Sequence, residues 1–315
     1  MVMVHSNKTH VLTYGDAFVD YIADNTSNSS FSMFLGGATV NVAVGVARLG
    51  VPSAFITITG DDATSEFVRG ELEAEDVIMD YSKLEPEKRV SGVYVHLTKN
   101  HDRIFHRYID EAPHIQVAPD DLKEEAFQKA SILNLCSGTM FQPTALETSR
   151  KAVAYAKKHD VLFSFDTNIR PLRWNSEGEC RETISSFFKD ADLLKFTEEE
   201  LMFLTETTSV EEGLAQIAHL DVPVILITAG EHGTYAVLNK QVQHVPVEPV
   251  VAVDTTGAGD AFMAGILRYV HLNGLPTTMD SLVRCTAFAN HLGALAATKA
   301  GALTALPRLS ELKIT

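Results

Sequence analysis

The strongest constraint on the fold is a rhythm. Short apolar runs of strand length take turns with longer segments whose apolar residues recur at helical spacing. Segments 11–15, 53–59, 132–136, 161–166, 192–195 and 224–228 read as strands. Segments 40–49, 64–74, 121–129, 143–159, 179–189, 198–205 and 210–219 read as helices. Strands separated by helices run parallel, because the crossover carries the chain back to the same end of the sheet. A parallel sheet is buried on both faces, so the pattern predicts an α/β fold: a three-layer αβα sandwich with a mostly parallel central sheet. Ligand sites in such sheets lie beyond the carboxyl ends of the strands. Segments 90–98 and 104–109 break the rhythm, since they are consecutive strands joined through Lys99-Asn100-His101-Asp102 with no helix between. With the strands between Asp16 and Leu35 they predict a small second sheet. A hairpin at the edge of the main sheet is the alternative.

A chain of 315 residues suffices for one large domain with an appendage or for two small domains. No internal repeat, low-complexity stretch or long linker divides it, so 1–315 reads as a single domain. Lys and Arg number 26 against 41 Asp and Glu, a net charge of −15. That balance argues against nucleic acid or an anionic membrane as the main partner. It does not exclude a nucleotide, which needs only a local field. Cys136, Cys180 and Cys285 are scattered and odd in number, as expected of reduced thiols in a cytoplasmic protein. The 12 histidines form no metal-binding cluster. Met1 to His10 shows no cationic region followed by an apolar core, so no signal peptide is expected, and the run 222–227 is too short to span a membrane.

Chemistry concentrates in Asp254-Thr255-Thr256-Gly257-Ala258-Gly259-Asp260-Ala261-Phe262. The valine-rich run 244–253 before it reads as a strand. The residues Phe262, Gly265, Ile266, Tyr269 and Val270 after it recur at helical spacing, and Asn273-Gly274 followed by Pro276 ends that helix. A Gly-Ala-Gly turn at a helix start leaves backbone N–H groups unpaired and pointing one way, and the helix dipole adds roughly half a unit of positive charge. A Cβ there would block close approach of a phosphate. Asp260 does not fit an anion site unless it faces something else. Accepting a proton from an attacking hydroxyl is the simplest such task, and phosphoryl transfer has room for a carboxylate base. The run has no Gly-Lys-Ser/Thr, so it is not a Walker-type P-loop.

This run, together with Gly36-Gly37-Ala38-Thr39-Val40-Asn41 and its continuation to Gly50, resembles the ribokinase-like (PfkB) carbohydrate kinases, and among them the fructokinases. The resemblance extends from Thr13 to Pro307. It implies a ribokinase-like fold in which inserted segments about 16–36 and 88–112 form a β-sheet lid over the sugar, often also a dimer contact. It implies ATP with Mg²⁺ as phosphoryl donor and Asp260 as general base. Gly257, Ala258 and Gly259 would hold the transferring phosphate, with Arg170, from Asp166-Thr167-Asn168-Ile169-Arg170, adding positive charge. Asp20 and Asn41, with the backbone of Gly36 and Gly37, match the family's sugar contacts. For Asp16, a sugar contact and a turn cap weigh equally.

The family pattern Asn-x-x-Glu, which sets the metal and phosphate environment, falls on Thr197 to Glu200, with threonine in place of asparagine. Glu200 is carried over as an indirect Mg²⁺ residue. Thr228, Gly230 and Gly233 resemble the family's nucleotide-side turn, and Asn290 would lie beside the adenine. Asp254, Thr256, Ala296, Lys299 and Gly301 match positions where relatives bind a monovalent cation, here K⁺, mainly through carbonyls. Ala305 stands where some relatives have a serine ligand. Ala38 and Phe18 replace a lysine and an asparagine of ribokinases and favour fructose. The segment 107–114 departs from the usual fructokinase lid, which keeps ribose or a sugar acid such as 2-keto-3-deoxygluconate as alternatives. A catalytically silent sugar sensor is the rival of another class, and the intact Gly-Ala-Gly and Asp260 argue against it.

Overall fold

Successive side chains of a strand point to opposite faces, and here both faces of the central strands are apolar. The computed structural model describes residues 8–99 and 103–312. Asn100, His101 and Asp102 of the expected turn, and the residues before 8 on which the signal-peptide reading falls, lie outside the described residues. The strands are β1 (His10–Tyr14), β2 (Phe18–Ala23), β3 (Phe31–Gly36), β4 (Ser53–Ile56), β5 (Ile58–Thr59), β6 (Val77–Ile78), β7 (Lys83–Leu84) and β8 (Ser91–Leu97). They continue as β9 (Arg103–Ile109), β10 (Ala130–Cys136), β11 (Leu162–Asp166), β12 (Leu193–Thr197), β13 (Val224–Thr228), β14 (Thr234–Leu238) and β15 (Gln241–Val245). The helices are α1 (Ala38–Arg48), α2 (Ala63–Ala74), α3 (Glu124–Lys129), α4 (Pro143–Lys158), α5 (Glu177–Ser185), α6 (Glu198–Thr205), α7 (Val210–Ile217), α8 (Ala258–Asn273) and α9 (Met279–Ala297).

Nine strands form the main sheet in the order β15-β14-β13-β12-β11-β10-β1-β4-β6. From β6 to β13 every pairing is parallel, and the last two strands turn back antiparallel. The alternation sorts side chains into two cores. Val11, Phe55, Ile132, Leu193, Val224 and Leu226 face α1, α2, α8 and α9. Leu12, Ile56, Leu133, Leu194, Ile225 and Ile227 face α3 to α7. The three layers that the rhythm predicts are therefore present. The second sheet is β3-β2-β8-β9, with β2 and β8 parallel and the outer pairings antiparallel. The hairpin pairs with β2 rather than with the edge of the main sheet.

Two sequence expectations need correction. Segment 121–129 is not one helix: a 3₁₀ turn, Pro119–Asp121, precedes α3. Segment 244–253 is not one strand: β15 stops at Val245. Pro246 and Pro249 have no N–H to give a ladder. Val250, Val251 and Val253, which made the run look buried, are exposed. The chemical motif thus follows an irregular connection, tied to the end of α9 by Val253 N–H and Asp254 N–H on Ala297 O, rather than a strand end.

One helical layer positions that motif. α1 is buried along nearly its whole length, from Thr39 to Val46, and packs on α8, which packs on α9. Small residues set the spacing. A Cβ on Gly45 would lie 2.8 Å from the Ala264 Cβ, and one on Gly265 would lie 2.7 Å from Leu292 Cδ1 and 3.1 Å from Ala289 Cα. Arg48 closes the layer: it binds both oxygens of Glu75 and donates to the carbonyls of Leu303 at 2.6 Å and Leu306 at 3.0 Å. Gly265→Val should push α8 from α9 and destabilise the protein by about 2–3 kcal/mol, the scale of an overpacked core. A lowered urea midpoint with an unchanged slope would show it, and an unchanged midpoint would refute the close packing.

Candidate active site

Asp260 lies in the first turn of α8. Gly257 precedes that turn as its cap, at φ 79°, where a side chain would be strained. A Cβ there would also meet Ala302 Cα at 2.9 Å. The glycine is thus fixed by its own backbone and by the neighbouring loop, before any phosphate is considered. Ala258 N–H is engaged by Thr255 O at 3.2 Å, and Ala261 N–H closes the first helical bond to Gly257 O at 2.9 Å. The N–H groups of Gly259 and Asp260 have no backbone acceptor among the described residues. Two amides at a positive helix end therefore remain for an anion.

The structure brings Asn41 and Asp260, 219 residues apart, into direct contact: Asn41 Nδ2 donates to Asp260 Oδ2 at 2.8 Å. The Asn41 carbonyl oxygen is buried without a partner among the described residues, which leaves an acceptor for a ligand hydroxyl. Burial pushes the Asp260 carboxyl up to about 6. The Asn41 hydrogen bond pulls it down, Asp166 pushes it up, and the charges of Lys195 and Arg170 pull it down again. A carboxylate so placed is ionised near neutral pH yet basic enough to take a proton.

The other expected sugar contacts lie on the second sheet and its junction. Asp20 is on β2, opposite Phe34 of β3. A Cβ on Gly36 would be 3.3 Å from Asp20 Oδ2, and Gly37, at φ 108°, would place its Cβ 3.0 Å from Asp16 O. The double glycine thus lets β2, the Asp16 turn and the start of α1 meet. Desolvation raises the Asp16 carboxyl, and the buried Lys88 ammonium opposes that.

On the other side of α8 lies a cavity of about 850 Å³, lined by Thr228, Gly230, Gly233, Val250, Phe262 and Asn290 among others. Of the six expected nucleotide residues, Thr228, Gly230, Gly233, Gly259 and Asn290 are in its wall, and Gly257 is not. Asn290 also ties that wall together: its Oδ1 accepts from Thr234 Oγ1 at 2.6 Å, and its Nδ2 donates to Val245 O at 3.0 Å. Glu200 caps α6 and holds the loop after β11. Its oxygens accept from Thr197 N, Thr167 Oγ1 and Ile169 N at 2.7–2.8 Å. Both oxygens therefore face protein donors, which suits an indirect part in holding a metal. Arg170 is exposed at the rim, its Nη1 on Ile169 O at 2.9 Å.

The cation-site residues form one turn and its neighbour. Asp254 accepts from Thr256 N and Oγ1 and from Gly301 N, at 2.6–2.9 Å. Ala296 and Lys299 are at the adjoining end of α9. The Lys299 side chain turns away to Glu311 at 3.0 Å, so only its carbonyl could serve an ion.

Sequence reasoning missed Lys195. It is buried on β12, with Nζ 3.0 and 3.2 Å from the two Asp166 oxygens. The signal was available: a lysine inside Leu193-Leu194-Lys195-Phe196, a run otherwise apolar. Burial disfavours its ammonium, but the Asp166 and Glu200 carboxylates outweigh that and hold its pKa above the ordinary value.

Residues 8–309 match the family described as pfkB family carbohydrate kinase. A fructokinase of Klebsiella pneumoniae is 37% identical over 300 residues, covering 95% of this chain and 96% of that one. A double mutant of the Vibrio cholerae fructokinase, solved with fructose, ADP and a potassium ion, is 33% identical with TM-score 0.84, covering 97% of this chain and 98% of that one. The Xylella fastidiosa fructokinase with bound ATP is 27% identical with TM-score 0.86, covering 96% and 97%.

Asp260 also links stability to pH. Its folded pKa of about 6 lies above the ordinary 3.8. Protonation therefore stabilises the fold, and that gain is complete below pH 4 and lost as pH rises through about 6. Asp260→Asn should then raise stability by on the order of 2 kcal/mol at pH 8 and by almost nothing at pH 4. Urea unfolding at the two pH values measures this, and an equal effect at both would contradict the raised pKa.

Proposed function

The chain belongs to the pfkB family of carbohydrate kinases and is an ATP-dependent sugar kinase, and from that premise we propose that its acceptor is fructose, phosphorylated on a primary hydroxyl with Asp260 as base. The observation that carries the reading is the desolvated Asp260 carboxylate, bound to Asn41 on one side and set beside two free amides on the other. The sugar lies under the second sheet, with Asp20, Asn41 and the Gly36-Gly37 backbone fixing its hydroxyls and Asp16 at the edge. The adenine and ribose of ATP lie in the cavity walled by Thr228, Gly230, Gly233 and Asn290. As the hydroxyl oxygen attacks the γ-phosphorus, its proton passes to Asp260, and the bond to the bridging oxygen breaks to release ADP. The amides of Gly259 and Asp260 and the Arg170 charge offset the negative charge on the transferring group.

Mg²⁺, held largely by the phosphates and water with Glu200 acting indirectly, would neutralise phosphate charge. K⁺ is assigned to the turn that Asp254 ties between Thr256 and Gly301, with backbone carbonyls as its ligands by resemblance to the family. The second sheet acts as a lid that excludes water during transfer. Exposed apolar residues lie on both faces of that lid, Met33 and Ile104 on one and Phe34 and Tyr108 on the other, and they support pairing of two copies there. Fructose is favoured over ribose by Ala38 and Phe18 and by the names of the relatives.

ADP release over a panel of fructose, ribose, 2-keto-3-deoxygluconate and adenosine tests the reading. Fructose should give the highest kcat/KM, and Asp260→Asn should cut kcat by about 10²–10⁴-fold with fructose and ATP still bound. Wild-type turnover in the variant would remove Asp260 from the mechanism, and preference for another sugar would replace fructose alone. Activity in KCl should exceed that in NaCl at equal ionic strength. Equal rates would remove the K⁺ site.

A further inference from the structure

Lys195 has a charge placed where the transfer needs one and no part in the mechanism so far. Its side chain is only about one-twentieth exposed. An ammonium has three N–H donors, and one carboxylate, that of Asp166, faces it at 3.0 and 3.2 Å. Its other side faces the anion turn: a Cβ built on Gly259 would lie 3.5 Å from Nζ. Lys195 also lines the cavity, next to Thr255, Ala258 and Gly259. Asp166, Glu200 and Asp260 all act on this one ammonium. Without it, a phosphate would enter a site surrounded by carboxylates and no buried cation. A lysine kept only to neutralise a buried aspartate brings little, since such a pair is often no better than an apolar pair of equal volume.

We propose that Lys195 is a catalytic residue: its Nζ donates to the phosphate oxygens at the start of α8 during transfer, doing from a strand what a P-loop lysine does from a loop. Asp166 holds the ammonium in place between turnovers. Lys195 neither forms a covalent bond nor gives up its proton. The proton of the acceptor still goes to Asp260, and the electron pair of the broken bond goes to the ADP oxygen. The proposal rests on reading the cavity as the nucleotide site.

The test uses Lys195→Met, Asp166→Asn and the double variant, with turnover, thermal melting and binding of ADP and AMP measured for each. Lys195→Met should lose about 10²–10³-fold in kcat, the scale of a removed charge-stabilising donor. It should bind ADP at least fivefold more weakly and AMP as the wild type does. The double variant removes the charge imbalance, so it should melt near the wild-type temperature yet stay as slow as Lys195→Met. Asp166→Asn keeps the lysine and should retain more turnover than either. A double variant with wild-type turnover would show that Lys195 only neutralises Asp166 and would overturn the proposal. Unchanged ADP affinity in a folded Lys195→Met would overturn it too, as would an Asp166→Asn as slow as Lys195→Met. A wild type that binds neither AMP nor ADP would overturn it together with the reading of the cavity, whereas intact AMP binding leaves that reading standing.

Discussion

A carboxylate kept away from water at the start of a helix is the constraint on which the rest of the structure depends. Left alone, Asp260 would be repelled by the anion that the helix end attracts, and burial would protonate it. The fold answers both problems with neighbours brought from far along the chain. Asn41 arrives from α1 and donates to the carboxylate, Lys195 arrives from β12 with a charge, and the exposed Arg170 adds another from the rim. The result is a carboxylate whose pKa stays near 6, high enough to accept a proton and low enough to be ionised near neutral pH. The three-layer sandwich holds these elements at fixed spacing. The small residues of α1, α8 and α9 let their backbones come close enough for side chains to meet across the layers.

The main sheet was legible because periodicity reports which face a residue occupies, and both faces of these strands are covered. The Asp254–Phe262 run was legible as chemistry because an aspartate among phosphate-type amides conflicts with a purely structural role. Its surroundings were harder to read. The valines at 250, 251 and 253 resemble a buried strand by composition, and only the two prolines nearby warned otherwise. Lys195 escaped notice because attention to cations followed loops, where phosphate-binding lysines usually sit. A charge in the middle of a buried strand is costly enough to demand a partner or a purpose, and that reasoning alone would have singled it out. Asn290 shows the reverse. The residue is in the cavity wall as expected, but its amide is engaged in joining α9 to the β14–β15 edge. No sequence spacing could have shown that.

The two sides of the site are built differently. The cavity beside α8 is walled by the antiparallel edge of the main sheet and by α9, elements that share the sandwich's core. The side of Asp20 and Asn41 is walled by a separate four-stranded sheet, joined to the main body near Asp16, Gly36 and Lys88. A wall built from the sandwich on one side and a wall built from a separate sheet on the other suit a reaction in which one substrate is a nucleotide and the other varies. Differences in acceptor among such kinases can then accumulate in β2, β3, β8 and β9 without disturbing Asp260.

Arg48 gives the order of events during synthesis a chemical meaning. From the end of α1 it grips the carbonyls of Leu303 and Leu306, and Ala302, just before them, is the residue that Gly257 backs onto. Asp254 is likewise tied to Gly301. The sheet strands and the base are all translated before this segment exists. A nascent chain that ends short of residue 300 therefore carries Asp20, Asn41 and Asp260, yet the turn before α8 has no Gly301 or Ala302 to rest against. The turn that carries Asp260 is complete only when a segment made after it is folded back onto a helix made long before it.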